Sequence, residues 1–139
     1  MIRQITPDDI PSLLDIAHES YDYAFDDAHI TEWALRALAV PSVLALRDDD
    51  AFGLCHVTGT MWNPAELHGC VLYFAMRKSA VWQGCKILRT MRDWALGHMG
   101  AEDYTISCDT LMDMRIFAKR LGARPHHSYV CSKEGLSHG

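Results

Sequence analysis

The sequence predicts one α/β domain of mixed, α+β character: a central, mostly antiparallel sheet with a single parallel βαβ crossover and helices on both faces. Three observations carry this expectation. An uninterrupted β-prone run, Gly69-Cys70-Val71-Leu72-Tyr73-Phe74-Ala75-Met76, is followed by a turn, a helical stripe and a second strand-like run, Asp103 to Cys108. The helix between the two runs is long enough for a right-handed crossover between parallel strands. At 139 residues, 49% hydrophobic and 22% charged, the chain can bury a core in one unit without disulfides or metal.

In chain order the elements read β-α-α-β-β-β-α-β-α-β. Met1 to Ile5 is a short strand. Thr6-Pro7-Asp8-Asp9 then starts a helix: Thr6 can cap, Pro7 suits the first helical position, and Asp9 can complete a capping box. Ile10, Leu13, Leu14, Ala17 and Tyr21 form its buried stripe. Residues 22–29 are acidic and read as irregular, and a second helix over about 31–40 ends at Pro41. Residues 42–47 and 51–60 are strands joined through Asp48-Asp49-Asp50 as a hairpin. Asn63-Pro64 marks a loop before the central strand.

Arg77 to Gly84 reads as a turn with two cations and a glycine. From Cys85 onward Ile87, Leu88, Met91, Trp94 and Ala95 form a helical stripe, and Gly100 stops it. Asp109 or Thr110 caps a last helix, with Leu111, Met114, Phe117, Ala118 and Leu121 on its buried face and Gly122 as its stop. A final strand lies at about 126–132.

The totals exclude several classes. A net charge of −5 argues against a general nucleic-acid binder. Five widely spaced cysteines (55, 70, 85, 108 and 131), an odd number set mostly in apolar runs, read as free thiols of a reducing, cytoplasmic compartment. No apolar stretch follows a basic start near residue 1, so no signal peptide is expected, and no apolar run reaches membrane-spanning length. Cys55-His56, His68-x-Cys70 and His126-His127 are the densest metal-type clusters, yet neighbours on a strand face opposite ways, so no metal site is expected. Cys108 as a thiol nucleophile lacks any surrounding signature and reads as core. Trp62 and Trp82, placed in loops, suit either a pocket wall or a partner contact. Arg115, Lys119 and Arg120 read as a solvated helix face.

The corner where the central strand feeds the crossover helix is an anion site in principle. Orphan backbone N–H groups and the helix dipole both favour phosphate there, and Arg77, Lys78 and Lys86 add positive charge.

The element order and several segments resemble the GCN5-related N-acetyltransferase (GNAT) family. Met1-Ile2-Arg3-Gln4-Ile5-Thr6-Pro7-Asp8-Asp9-Ile10 is similar to that family's opening, an Ile-Arg strand followed by a Thr-x-x-Asp cap. Phe117-Ala118-Lys119-Arg120-Leu121-Gly122-Ala123 is similar to its late Leu-Gly helix end. Val71 to Leu88 stands where the family keeps its acyl-CoA pyrophosphate loop. The resemblance implies that acetyl-CoA lies with its pyrophosphate at Gln83, Gly84, Cys85 and Lys86, with Arg77 and Lys78 nearby, and that a backbone N–H near Phe74, Ala75 or Met76 polarises the thioester carbonyl.

The loop departs from the family's Gln/Arg-x-x-Gly-x-Gly/Ala pattern. With Gly84 as the last glycine, Ser79 and Trp82 take the first two signature positions; with Gly84 as the middle one, Val81 and Lys86 take the outer two. Ala118 stands where the family often has a general-acid tyrosine. Glu66, His68, Tyr104 and either Ser107 or Cys108 are the remaining candidates for proton transfer.

The resemblance therefore implies an acyl-CoA-dependent N-acetyltransferase acting on a small-molecule or protein amine; a homodimer or a phage-protein partner is the further expectation. The alternative keeps the fold and drops the chemistry. It is a degenerate GNAT-like protein with a structural, virion-associated or partner-binding role, resembling such proteins of bacteriophages.

Overall fold

A computed structural model describes residues 1–21, 24–107 and 115–124 of the chain. Five strands form one sheet in the order β1-β2-β3-β4-β5: β1 Arg3–Gln4, β2 Val43–Arg47, β3 Ala51–Gly59, β4 Leu67–Met76 and β5 Asp103–Thr105. The first four pair antiparallel and β4 pairs parallel with β5. The expected mixed sheet with one βαβ crossover is therefore present. Helices α1 (Ile10–Ser20) and α2 (Asp27–Leu38) cover one face; α3 (Val81–Asp93) and α4 (Arg115–Leu121) cover the other. No helix among the described residues is long and apolar enough to cross a membrane.

The two faces hold separate cores. On the α3 side Leu46, Cys55, Phe74, Ile87, Leu88, Met91 and Phe117 pack together. On the other side Leu13, Ile16 and Ala17 of α1 meet Phe52, Leu54 and Ala75. Ile87, Leu88 and Met91 are 0% exposed, so the predicted stripe of α3 is the centre of its core. At roughly 2 kcal/mol for each fully buried large side chain, these contacts hold the crossover helix on the sheet.

The N-terminal signal folds as a 3-10 turn, Pro7–Asp9, ahead of α1. The Asp9 carboxylate accepts from the Thr6 N–H at 2.8 Å and the Thr6 hydroxyl at 3.1 Å. Arg3 grips it with two nitrogens, at 2.8 and 2.5 Å, and Arg47 reaches it at 3.3 Å. Asp9 and Arg47 are both buried. The residues that open the chain thus tie β1, β2 and α1 together.

Four boundaries differ from the sequence reading. The acidic stretch expected to be irregular contains the start of α2, because Asp26 accepts the His29 N–H at 3.0 Å as an N-cap. β4 begins two residues earlier, at Leu67, and β5 ends at Thr105 rather than Cys108. Helix α3 begins at Val81, not Cys85, so Trp82, Gln83 and Gly84 are helical rather than loop residues. Tertiary packing explains the last case. A Cβ on Gly84 would sit 2.9 Å from Phe74 Cζ and 3.0 Å from Met76 Sδ, so glycine lets the first turn of α3 lie directly on β4.

The helix stops hold as read. Gly100 and Gly122 adopt φ of 71° and 66°, the left-handed conformation that closes a helix. Before Gly100, the last turn widens to a π-helix over Trp94–His98. The predicted cap of the last helix and the final strand lie outside the described residues.

Candidate functional site

β4 and β5 pair over three residues only: His68 with Asp103, Gly69 with Tyr104, and Cys70 with Thr105. Beyond Cys70, β4 continues to Met76 with β3 on one side and no strand on the other among the described residues. A parallel sheet opened at the carboxyl ends of two neighbouring strands is a crevice of the kind in which ligands bind.

The register of β3 against β4 slips inside this segment. Leu54 faces Tyr73 and Cys55 faces Val71, which leaves Leu72 as an extra residue on β4. The bulge turns two consecutive side chains, Leu72 and Tyr73, to the α1/α2 face, while Val71 and Phe74 both join the α3 core.

Past the bulge the strand alternates. The Arg77 N–H donates to Asp50 O at 2.8 Å, so odd-numbered residues there pair with β3, and Phe74 and Met76 direct their backbone groups to the open edge. Their carbonyls are taken up at the end of α1: the hydroxyl of Tyr21, its C-cap, donates to Phe74 O at 2.5 Å and the Ser20 hydroxyl to Met76 O at 2.6 Å. The N–H groups of Phe74 and Met76 lie on that same edge.

The open edge ends at the N-terminus of α3. Ala80 is the N-cap, with no side-chain cap, and the first intrahelical bond runs from the Gly84 N–H to Ala80 O at 2.9 Å. The N–H groups of Val81, Trp82 and Gln83 therefore have no partner within the helix and carry its positive dipole end.

The surrounding cations are not equivalent. Arg77 is engaged by Glu19 and, at 3.3 Å, by Asp50, so much of its charge is neutralised within the protein. Lys78 and Lys86 are exposed. Cys85 is buried in the core, where burial raises its thiol pKa, and it turns no side chain to a ligand. Trp82 is 62% exposed, and the guanidinium of Arg120 lies 4.0 Å from its ring centre, a cation–π contact joining α4 to the start of α3.

The proposed proton-transfer residues are scattered. His68 Nδ1 lies 2.9 Å from Asp103 and Nε2 3.3 Å from Glu66, at the amino ends of β4 and β5. From His68 to Phe74 the strand runs roughly 20 Å at about 3.3 Å per residue. The hydrogen bond to Asp103 raises the His68 pKa, with a smaller contribution from Glu66, so the two carboxylates favour the imidazolium. Tyr104 packs against the α3-side core and a small cluster of Val57, Ala95 and Ala101, with its hydroxyl buried and unpartnered among the described residues. Burial pushes its phenol well above the ordinary range. Ser107 is exposed just past β5, and Cys108 lies outside the described residues.

Sequence reasoning passed over the bulge, the two α1 hydroxyls and Tyr73. Tyr73 lines a cavity of about 280 Å³ between α1, α2 and the sheet, and its hydroxyl is buried without a partner among the described residues. Burial, reinforced by Tyr21, pushes its phenol up to about 12. A bulge has no sequence signature of its own. A phenol hydroxyl inside the otherwise apolar run from Val71 to Met76 was the available signal.

Solved structures share this architecture. A putative acetyltransferase from Agrobacterium tumefaciens superposes with a TM-score of 0.74 at 13% identity, over 96% of this chain and 99% of that one. This chain has the GNAT fold. The aminoglycoside 6'-N-acetyltransferase AAC(6')-IG from Acinetobacter haemolyticus matches at TM-score 0.73 and 12% identity, over 96% and 97% of the two chains. A predicted acetyltransferase from Clostridium acetobutylicum, solved with acetyl-CoA, matches at 0.70 and 15%, over 99% and 97%. In sequence, no protein-family model and no curated protein matches the chain. The likeness is one of fold.

Proposed function

We propose that the chain is an N-acetyltransferase of GNAT type that moves an acetyl group from acetyl-CoA to an amine. The observation that carries this reading is the β4 edge left open beyond Cys70, ending at an uncapped helix N-terminus. Acetyl-CoA fits that shape in its chemistry. The amide-bearing arm of the thioester is matched by the outward N–H groups of Phe74 and Met76. The pyrophosphate is matched by the N–H groups of Val81 to Gln83 with Lys78 and Lys86 beside them. Trp82 borders this cradle with its ring against Arg120, and that supports the register in which Gly84 is the last, helix-packing glycine of the loop.

When bound, acetyl-CoA supplies an acetyl carbonyl on a thiolate leaving group. The amine nitrogen forms a bond to the carbonyl carbon, the carbon–sulfur bond breaks, and the amine proton ends on the thiol. The backbone donors of β4 stabilise the oxygen that gains charge as the amine attacks, and their fixed placement needs no reorganisation. For proton transfer we place the hydroxyls of Tyr21 and Tyr73 beside this edge rather than Glu66, His68 or Tyr104. The first two residues sit at the far end of β4, and Tyr104 is sunk in the core.

Isothermal titration of acetyl-CoA tests the reading. Micromolar binding, about −8 kcal/mol, weakened at least tenfold by joint Lys78→Glu and Lys86→Glu substitution, is expected. No heat at millimolar acetyl-CoA would favour the second reading, a binding protein on the same fold. Arg77 held in ion pairs and Trp82 at a glycine position are the observations that favour that alternative.

A further inference from the structure

Resting on the acetyl-transfer reading, we infer that the cavity between α1, α2 and β4 is the acceptor pocket, and that its substrate is a primary amine with an apolar body, not a polycation. The cavity shares residues with the crevice. Leu72 and Tyr73 of the bulge form part of its wall, and the next residue, Phe74, carries the backbone groups of the open edge. Tyr21, which closes Phe74 O, also packs edge-on against the Tyr73 ring with centroids 5.9 Å apart. An amine held against Tyr73 is thus one residue along the strand from the donors proposed to polarise the thioester.

Lining chemistry sets the substrate class. The wall is built from aliphatic and aromatic side chains such as Leu13, Ile30, Trp33 and Phe52, and among the described residues it contains no Asp or Glu. Its titratable groups are the Tyr73 phenol and the imidazole of His29, an exposed residue of α2. Burying several ammonium groups there without carboxylates is prohibitively costly. A single amine is different. Desolvation disfavours its charged form, so the pocket itself promotes the neutral nucleophile that acyl transfer requires. The unpartnered Tyr73 hydroxyl gives that nitrogen a hydrogen-bond partner and removes an unsatisfied buried group. In volume, about 280 Å³ is nearly twice the ~150 Å³ cavity that accepts benzene. A phenylethyl or medium alkyl chain matches it.

The test titrates 2-phenylethylamine and, separately, the polycation sisomicin into the full chain, each with and without acetyl-CoA, followed by amide NMR shifts. The variants are Ala34→Phe, which fills the pocket from its partly exposed α2 wall, and Tyr73→Phe, which keeps the ring and removes the hydroxyl. Thermal melts confirm that both fold. Saturable shifts at Leu72 and Tyr73 with 2-phenylethylamine, weakened tenfold or more by Ala34→Phe and several-fold by Tyr73→Phe, with none from sisomicin, support the assignment. Binding unchanged in Ala34→Phe, or binding and acetylation of sisomicin alone, overturns it while leaving the acetyl-transfer reading intact. If 2-phenylethylamine binds with this variant pattern and acetyl-CoA does not bind, the pocket stands as an amine site and the transferase reading falls.

Discussion

Asp9 illustrates how much one side chain can organise. Its carboxylate meets two arginines and the Thr6 N–H in a buried corner, and hydrogen bonding from Arg3 outweighs the opposing effect of burial and holds it well below the usual carboxylate range. Asp9→Ala leaves Arg47 buried without its carboxylate and should cost about 3 kcal/mol in chemical denaturation. Gly84→Ala should cost about 1–3 kcal/mol, because a methyl there meets the Phe74 ring and the Met76 sulfur at 3.0 Å or less. Tyr73→Phe should behave oppositely. It removes a buried hydroxyl with no partner among the described residues, so its melting temperature is expected to match or exceed that of the parent.

At the scale of elements, the βαβ unit was the most legible part of the sequence. Ile87, Leu88 and Met91 announce one buried face by spacing alone, and Gly100 marks the end of the helix that bears them. Substituting Gly100 by Ala should destabilise by about 1 kcal/mol, since φ is 71° there and open space around the residue leaves backbone strain as the cause. The start of α3 was not legible. Trp82, Gln83 and Gly84 have turn-like or weakly helical composition, and it is their packing on β4 and α4 that makes them helical. The open edge was equally hidden, because it depends on where β5 parts from β4, and β5 is three residues shorter than its apolar run suggested. Glu66, His68 and Tyr104 were candidates for proton transfer because Ala118 holds the position of the usual tyrosine; the register places the first two in a surface ion cluster and the third against the core. The His68 cluster clamps β4 to β5. Its raised pKa means the contribution is full below the ordinary histidine value and fades as pH rises through the folded one. Replacing His68 by Gln should therefore flatten that part of the stability–pH curve.

For the whole molecule, the depressed Asp9 pKa has the reverse sign. Its stabilisation is present above the unfolded value of about 3.8 and is lost as pH falls below it, so acid unfolding monitored by circular dichroism should shift to higher pH in Arg3→Gln. Asp9 joins β1, β2 and α1, the crossover packs β4 and α3, and the two cores meet across the sheet. The result is a frame around an edge that no strand fills among the described residues. The central claim is that this edge and the start of α3 receive acetyl-CoA. Amide NMR shift mapping during an acetyl-CoA titration tests it directly. Saturable shifts concentrated at Phe74, Met76 and Val81 to Gln83 are expected. Shifts confined to other surfaces, or none at millimolar ligand, would contradict it.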